Sequence, residues 1–280
     1  MPSMIEALVE TAAHWLGEQG CTSLYGPCTL SMNEEPGLLI DGQDQAPMTM
    51  CPWHPSYLQP HLESLGFAKL GDLYNWRLDL ADANLKAVKA ARRMASRIPD
   101  LVVRKAQRST YPRDIQILCD VYNDGWQSHW GFVPLTPADL EGLDTLMKWL
   151  VPREAFQIVE LAGEPVAVLL VVPNLFELTR ALGSRPSPVG WLRLVWRALT
   201  HRFESGKIIV LGVAKRMQGT IVGSTIAALL IDALIEQQTA LQGKWVEAGW
   251  VLEQNDRLNQ ILKTYEFKMN KTFRIFGREI

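Results

Sequence analysis

Residues 207–237 have the sequence KIIVLGVAKRMQGTIVGSTIAALLIDALIEQ, and this stretch decides the fold. Its beginning, Lys207–Val213, is almost continuously apolar, as expected of a strand buried inside a sheet. The segment Gly219–Gln237 is again largely apolar and long enough for a core helix. We therefore predict a central strand, a tight turn and a long buried helix.

The turn between this strand and this helix is suited to an anion. The first N–H groups of a helix lack partners, and together with the helix dipole they favour a phosphate. Gly219 lets the backbone approach a ligand closely, and Lys215 and Arg216 can add charge-assisted hydrogen bonds. The alternative is an ordinary strand-to-helix turn with basic residues on its surface, and the turn alone does not exclude it.

Helices and strands alternate in the rest of the chain, which predicts an α/β fold with a mixed sheet. Two apolar strands around residue 163 form a predicted hairpin, Phe156–Leu161 with Pro165–Val172. The other predicted helices are Met4–Gln19, Ser56–Leu65, Pro112–Asn123, Thr136–Trp149, Pro188–Phe203 and Asp256–Tyr265, and the other strands are Tyr74–Leu80, Leu101–Lys105, Lys244–Leu252 and Lys268–Phe276.

Composition excludes several classes of function. The net charge of −2 argues against a general nucleic-acid binder, so we expect no nucleic-acid partner. The four cysteines, Cys21, Cys28, Cys51 and Cys119, form no pair at zinc-ligand spacing, which predicts free thiols and no metal site. No apolar run reaches the roughly 18 residues of a membrane span, and residues 1–10 lack a basic signal-peptide region, so we expect a cytoplasmic protein.

Residues 211–221 resemble the acetyl-CoA-binding motif of the GNAT superfamily of N-acyltransferases, whose pattern is Gln/Arg-x-x-Gly-x-Gly/Ala. Arg216 and Gly219 match the first half of this pattern. Ile221 stands where the second small residue is expected, and Gly223 lies two positions later. The resemblance implies acyl-CoA, either acetyl-CoA or a longer-chain thioester, as co-substrate. It would be held without a metal by Leu211, Gly212, Val213, Lys215, Arg216, Met217, Gln218, Gly219, Thr220 and Ile221.

Further segments resemble a bacterial double-GNAT subgroup. Trp245–Asn255, WVEAGWVLEQN, is similar to the subgroup's strand and Asn-led helix, and Tyr122–Thr136 is similar to its aromatic substrate loop. The resemblance covers residues 98–280 and implies a GNAT fold with a splayed central mixed sheet flanked by helices. Residues 1–80 resemble the later half of the subgroup's first repeat, a partial GNAT-like lobe, and residues 81–97 form the predicted linker helix.

The family resemblance implies transfer of an acyl group from a CoA thioester to an amine. A backbone N–H near Val213 would stabilise the carbonyl oxygen as it becomes anionic. Asn255 would lie near the thiolate leaving group. Members of the subgroup resemble ceramide synthase-type enzymes, which N-acylate long-chain amino bases in bacterial sphingolipid synthesis, so the implied acceptor is a small-molecule amine or a lipid amine.

A base must take a proton from the acceptor ammonium, and three side chains are candidates. Glu247 stands between Trp245 and Trp250, where desolvation would raise its pKa. The alternative for Glu247 is a carboxylate on the strand surface. His129 lies among tryptophans, and its alternative is a packed loop histidine. Asp124 is the third candidate.

Four residues of the aromatic segment are candidates for contact with the acceptor. Asp124 could recognise its ammonium group, although an Asx turn before Gly125 explains this aspartate equally well. Tyr122, Trp126 and Trp130 could form pocket walls, and packing in the core is the alternative for each.

The helix within Trp191–Phe203 combines tryptophans with arginines and contains no acidic residue. Its broad apolar face suits a helix that lies in a membrane interface or forms a lid over an acyl chain. The alternative is an amphipathic helix packed on the sheet. The membrane hypothesis places the protein at the inner membrane surface as a peripheral protein.

Two functions from different classes remain open at this point. The first is an active N-acyltransferase. The second is a catalytically inactive GNAT-like binding or regulatory protein, which Ile221 and the incomplete first repeat favour. A nucleotide hydrolase and a serine hydrolase are not supported, because the chain contains neither a P-loop nor a GxSxG motif. The sequence does not indicate an oligomeric state.

Overall fold

A computed structural model describes residues 2–29, 31–107, 109–127, 130–139, 155–180, 182 and 187–280. Its strands are β1 (Ser23–Gly26), β2 (Cys28–Thr29), β3 (Glu35–Pro36), β4 (Leu38–Asp41), β5 (Ala68–Asp79), β6 (Leu101–Lys105), β7 (Phe156–Leu161), β8 (Glu164–Pro173), β9 (Ser205–Val213), β10 (Trp245–Leu252) and β11 (Lys268–Glu279). Its helices are α1 (Pro2–Glu18), α2 (Leu58–Ser64), α3 (Leu85–Ala95), α4 (Tyr111–Trp126), α5 (Phe176–Thr179), α6 (Pro188–Thr200), α7 (Ile221–Ala240) and α8 (Asp256–Thr264).

Nine of the described strands form one sheet, in the order β1-β11-β5-β10-β9-β8-β7-β6, with β4 paired to β11. Strands β9 and β10 are parallel, whereas their other neighbours in the sheet are antiparallel. Strands β2 and β3 pair separately. The mixed sheet with helices on its faces confirms the predicted fold class.

Helices cover both faces of the sheet beside β9, which explains the continuous apolar sequence of that strand. On one face, Ile226 and Leu230 of α7 pack in a cluster with Ile208 of β9. On the other face, Leu118 of α4 packs in a cluster with Val210. Helix α7 is the one described helix that is long and apolar enough to cross a bilayer, and most of it is buried.

The sheet continues across the predicted boundary at residue 80. Strand β5 comes from the first part of the chain, yet it pairs with β10 on one side and β11 on the other. Its side chains Trp76 and Leu78 are buried in the same core cluster as α7. The division of the chain into residues 1–80, 81–97 and 98–280 stays a prediction. The pairing of β5 shows that residues 1–80 and residues 98–280 contribute strands to the same sheet.

The predicted linker helix lies on the core helix. Val88 and Ala91 of α3 are buried, and the Arg92 guanidinium donates to the Asp232 carboxylate of α7 at 2.8 Å. The predicted helix Thr136–Trp149 begins as expected, since the Thr136 hydroxyl donates to the Asp139 carboxylate at 2.6 Å. Residues 140–149 of that helix lie outside the described residues.

Candidate functional site

The parallel strands β9 and β10 diverge part-way along their length. Their pairing runs from Ser205 opposite Trp245 to Ile208 opposite Ala248, and the described residues show no further pair. The register between β8 and β9 also shifts here, because Leu170 is opposite Val210 while Val171 is opposite Ile208. This bulge turns β9 away from β10. The predicted splay of the sheet is therefore present and exposes the edge of β9 beyond Ile208.

A cavity of about 300 Å³ occupies the gap between the diverging strands. One wall is formed by β9, the turn after it and the start of α7. The opposite wall is formed by the turn after β10 and by α8, and α4 closes one side. Its lining residues are Gly125, Trp126, Leu211, Val213, Gln218, Gly219, Gly223, Ser224, Ala227, Gln254, Asn255, Asp256, Arg257, Leu258 and Ile261.

Hydrogen bonds fix the turn that precedes α7. The Gln218 side-chain amide donates to the Val213 carbonyl at 2.9 Å and to the Gly125 carbonyl at 3.1 Å. The Thr220 hydroxyl accepts from the Gly223 N–H at 2.9 Å and thereby caps the helix. Gly219 adopts a φ of +81°, which favours glycine. The turn thus places the N-terminus of α7 at the wall of the cleft.

Gly223, and not Ile221, provides the close packing expected of the second small residue in the motif. A Cβ atom on Gly223 would lie 2.0 Å from the Met217 carbonyl oxygen. The Ile221 side chain is 77% exposed and does not line the cavity. The departure from the motif at Ile221 therefore leaves the turn intact, because the tight contact is made one half-turn later. The role of Ile221 in cofactor binding stays a prediction.

Three cations surround the turn. Lys215 and Arg216 are exposed beside it, as the sequence predicts. The third, Arg257, was not predicted. It lies on α8 across the cleft, and its Nη1 would be 3.4 Å from a Cβ atom on Gly219. Within the described residues no carboxylate pairs with these three side chains. Because Arg257 lies outside the glycine motif, only the tertiary structure shows its proximity.

Asp124 lies on α4 and does not line the cavity. Its carboxylate accepts from the Lys215 backbone N–H at 2.6 Å. This contact positions the turn, and recognition of the acceptor ammonium by Asp124 stays a prediction. Asn255 does line the cavity, where its side chain also accepts from the Leu258 N–H at 3.2 Å and caps α8. Its position near the leaving thiolate and its role both stay predictions.

The aromatic residues lie in three places, which are the cavity wall, a half-buried position behind it and the surface. Trp126 lines the cavity and stacks on Tyr122 with ring centroids 5.0 Å apart. The Tyr122 hydroxyl donates to Asn33 Oδ1 at 2.7 Å, and burial raises the pKa of Tyr122 to about 12. Trp130 lies against Tyr25, with 5.6 Å between centroids. Among the predicted substrate contacts, Trp126 alone reaches the cavity, and His129 lies outside the described residues.

Glu247 is fully buried and does not line the cavity. Its neighbours Val246 and Ala248 face α7, so its own side chain points to the opposite face of the sheet. There its Oε2 accepts from Lys271 Nζ at 2.6 Å and from Asn270 Nδ2 at 2.8 Å. Its Oε1 accepts from Asn75 Nδ2 at 2.6 Å.

The expected upward shift of the Glu247 pKa is wrong. Burial does raise the pKa of this carboxyl, but the charge of Lys271 and the hydrogen bonds from Lys271 and Asn270 outweigh burial and lower it. A lowered pKa makes Glu247 a weaker base. The assignment of Glu247 as the base stays a prediction, and the ion pair with Lys271 gives this carboxylate a structural role that the sequence did not indicate.

A second buried amine completes this polar cluster. Lys207 Nζ lies 2.9 Å from the Cys51 sulfur and 4.0 Å from the centroid of the Trp250 ring. Burial raises the pKa of the Cys51 thiol, although the charge of Lys207 opposes this effect. Sequence reasoning missed the cluster, because Cys51 and Lys207 are 156 residues apart.

Two curated proteins are similar to the whole chain. One is Protein YghO of Escherichia coli, which is 31% identical over 280 residues, 71% of that protein's length. The other is a bacterial ceramide synthase of Caulobacter vibrioides, which is 30% identical over 280 residues, 72% of its length. The chain belongs to the bacterial ceramide synthase family. No family model matches the chain.

Solved structures are similar to this ceramide synthase family member at lower identity. A GCN5-related N-acetyltransferase from Sphaerobacter thermophilus is 11% identical, with a TM-score of 0.49, and the match covers 80% of this chain and 56% of that one. A tandem GNAT protein from the clavulanic acid biosynthesis pathway is 10% identical, with a TM-score of 0.47, over 98% and 69% of the two chains. Among the described residues, no group of three or more His, Cys, Asp or Glu side chains is placed to hold a metal.

Proposed function

We propose that this family member transfers an acyl group from acyl-CoA to the amino group of a long-chain lipid amine. The observation that carries the proposal is the cleft between β9 and β10, where an exposed strand edge meets a helix N-terminus. The edge can align a pantetheine chain through backbone hydrogen bonds. The helix N-terminus, Lys215, Arg216 and Arg257 supply positive charge for the phosphates of CoA.

In the reaction, the neutral amine nitrogen attacks the thioester carbonyl carbon. The C–S bond breaks, CoA leaves as thiolate or thiol, and an amide remains. A backbone N–H on the exposed edge of β9, which includes Val213, would stabilise the carbonyl oxygen as it gains charge. Asn255 on the opposite wall would contact the departing sulfur. The acceptor proton passes to a base, directly or through water, for which His129, Glu247 and Asp124 stay the candidates.

The choice of a lipid amine rests on the relative that is named a bacterial ceramide synthase. That relative matches the entire chain at 30% identity, so the chain includes the counterparts of most of its residues. Acyl-CoA thioesters are intracellular compounds, and the four cysteines are unpaired. We therefore place the protein in the cytoplasm.

An inactive binding protein is the second candidate, and the buried ion pair of Glu247 with Lys271 favours it. Such a protein would have a cofactor groove closed by side chains. The described residues leave a cavity of about 300 Å³ in that position instead. The open cleft supports the enzyme.

Calorimetric titration with acetyl-CoA and with palmitoyl-CoA tests the donor, and amide formation from sphinganine and from a short amine tests the acceptor. We expect saturable binding of acyl-CoA, with tighter binding of the long-chain thioester, and acylation of sphinganine alone. Binding of neither thioester would refute the enzyme and favour the inactive alternative, whose groove would be closed. Binding without turnover of either amine would refute the proposed transfer to a lipid amine.

A further inference from the structure

Helix α6 presents its apolar face to solvent. Six large apolar side chains on this helix are more than half exposed: Val189, Trp191, Leu192, Val195, Trp196 and Leu199. At 100° per residue they occupy one continuous arc of about 160°. None of the 13 residues of α6 is buried. The expectation that the helix packs its apolar face on the sheet is wrong, because the opposite side of the helix faces the protein.

Polar contacts hold α6 in this orientation. The Arg197 guanidinium donates to the Glu177 carbonyl oxygen at 2.8 Å. Just after the helix, the His201 ring lies 2.8 Å from the Glu177 carboxylate, which also accepts from the Ser205 N–H at 2.9 Å. These bonds tie the polar side of α6 to α5 and to the start of β9. The outward direction of the apolar arc is therefore fixed by specific partners.

The charged side chains of α6 itself have one sign. Helix α6 contains Arg193 and Arg197 and no acidic residue, and Arg202 follows two residues after its end. Arg193 is exposed beside the arc, and no carboxylate of the described residues pairs with it. Arg202 donates to the neutral side chain of Gln242 at 2.9 Å. An apolar arc bordered by cations fits a partner that is apolar within and anionic at its surface.

We propose that this face of α6 docks the protein on a membrane that contains anionic lipids. The apolar side chains would enter the boundary between headgroups and acyl chains, and Arg193 and Arg202 would lie at the level of the lipid phosphates. A second copy of the chain fits this face less well, because an identical helix would bring more arginines and no acid.

The position of α6 in the fold is consistent with this docking. Helix α6 ends shortly before Ser205, which is the first residue of β9. The proposed phosphate-binding turn follows Val213, which is the last residue of that strand. The nine residues of β9 separate these ends by about 26 Å. The anionic end of CoA would therefore face away from the anionic membrane. A lipid acceptor would approach from the side of α6.

Vesicle sedimentation with the full chain tests the docking surface. Vesicles of phosphatidylcholine are compared with vesicles that contain about 30% phosphatidylglycerol, chosen as an anionic fraction large enough to attract basic side chains. We expect binding to the anionic vesicles. The double variant Leu192→Gln/Trp196→Gln should lose at least about tenfold in affinity, since two large apolar side chains no longer enter the interface. Arg193→Gln should weaken binding to the anionic vesicles alone, by about fivefold.

The matched control is Leu8→Gln/Trp15→Gln on α1, whose side chains are 67% and 58% exposed. This double variant replaces the same residue types on another surface of the protein. It should bind vesicles as tightly as the parent protein does. Equal losses in both double variants, or no binding by the parent, would overturn the proposal. So would a dimer in sedimentation velocity that Leu192→Gln/Trp196→Gln dissociates. Acetyl-CoA titration of each variant reports on the cleft separately, so failure of docking is distinguishable from failure of the proposed chemistry.

Discussion

Replacement of Gly223 by alanine tests the packing of the phosphate-binding turn. The new Cβ atom would lie 2.0 Å from the Met217 carbonyl oxygen and 2.8 Å from its carbon, and contacts below 3.0 Å force a shift. Both atoms belong to the backbone, so the turn itself must move by about 1 Å. Overpacking costs about 1–3 kcal/mol, and we take the upper value because no flexible side chain can yield. Alanine in a helix recovers about 1 kcal/mol, which leaves a net loss of about 2 kcal/mol.

This loss corresponds to a fall in Tm of about 3–4 °C for a chain of 280 residues, measurable by calorimetry. A displaced turn also misdirects its N–H groups, so acetyl-CoA should bind at least about tenfold more weakly, a change of about 1.4 kcal/mol. Gly17→Ala in α1 is the control, because a Cβ atom there has no neighbour within 4 Å. That variant should be as stable as the parent or slightly more stable. A Gly223→Ala protein with unchanged Tm and unchanged acetyl-CoA affinity would refute the assignment of Gly223.

Three further substitutions test the site. Arg257→Ala should weaken acetyl-CoA binding by about tenfold and leave pantetheine, which lacks the phosphates, unaffected; equal losses for both ligands would argue against a phosphate contact. Glu247→Gln should cost about 3–5 kcal/mol at pH 7 in urea unfolding, because it leaves Lys271 buried without its carboxylate. The pKa of Glu247 is lowered in the folded state, so its ionised carboxylate contributes fully to the free energy of unfolding above the usual pKa of 4.5. This contribution disappears as the pH falls through the lowered pKa. The stabilities of the parent and of Glu247→Gln should therefore converge in acid. Tyr122→Phe should cost about 1 kcal/mol of stability through the lost bond to Asn33, with turnover unchanged, and a large loss of kcat would restore Tyr122 as a substrate contact.

The sequence by itself determined the local elements around the cleft. The apolar run of β9, the glycine-containing turn and the long apolar helix are adjacent in the chain, so their order predicts a strand, a turn and a helix in contact. The same locality made Lys215 and Arg216 predictable beside the turn. Periodicity also predicted the hairpin of β7 and β8 and the closing strand β11.

Local patterns did not determine which distant residues share a site. Arg257 meets Gly219 only because β9 and β10 diverge and bring α8 across the cleft. The pKa of Glu247 is lowered mainly by Lys271. Glu247 lies on β10 and Lys271 on β11, and β5 lies between these two strands in the sheet, so the contact crosses one strand. The flanking tryptophans suggested burial correctly, but the charges and hydrogen-bond donors beside a buried carboxyl decide whether its pKa ends above or below the usual value.

For α6, too, the sequence determined one property of the helix and the tertiary structure decided another. Its sequence determined that the helix has one apolar and one basic side, because side-chain order around a helix follows from 3.6 residues per turn. It did not determine which side faces the protein. That was decided by Glu177 of α5, whose carbonyl oxygen accepts from Arg197 and whose carboxylate contacts His201 and Ser205, so that it anchors the polar side of α6. A helix pattern is local, whereas the choice of its packed face depends on partners that only the folded chain brings together.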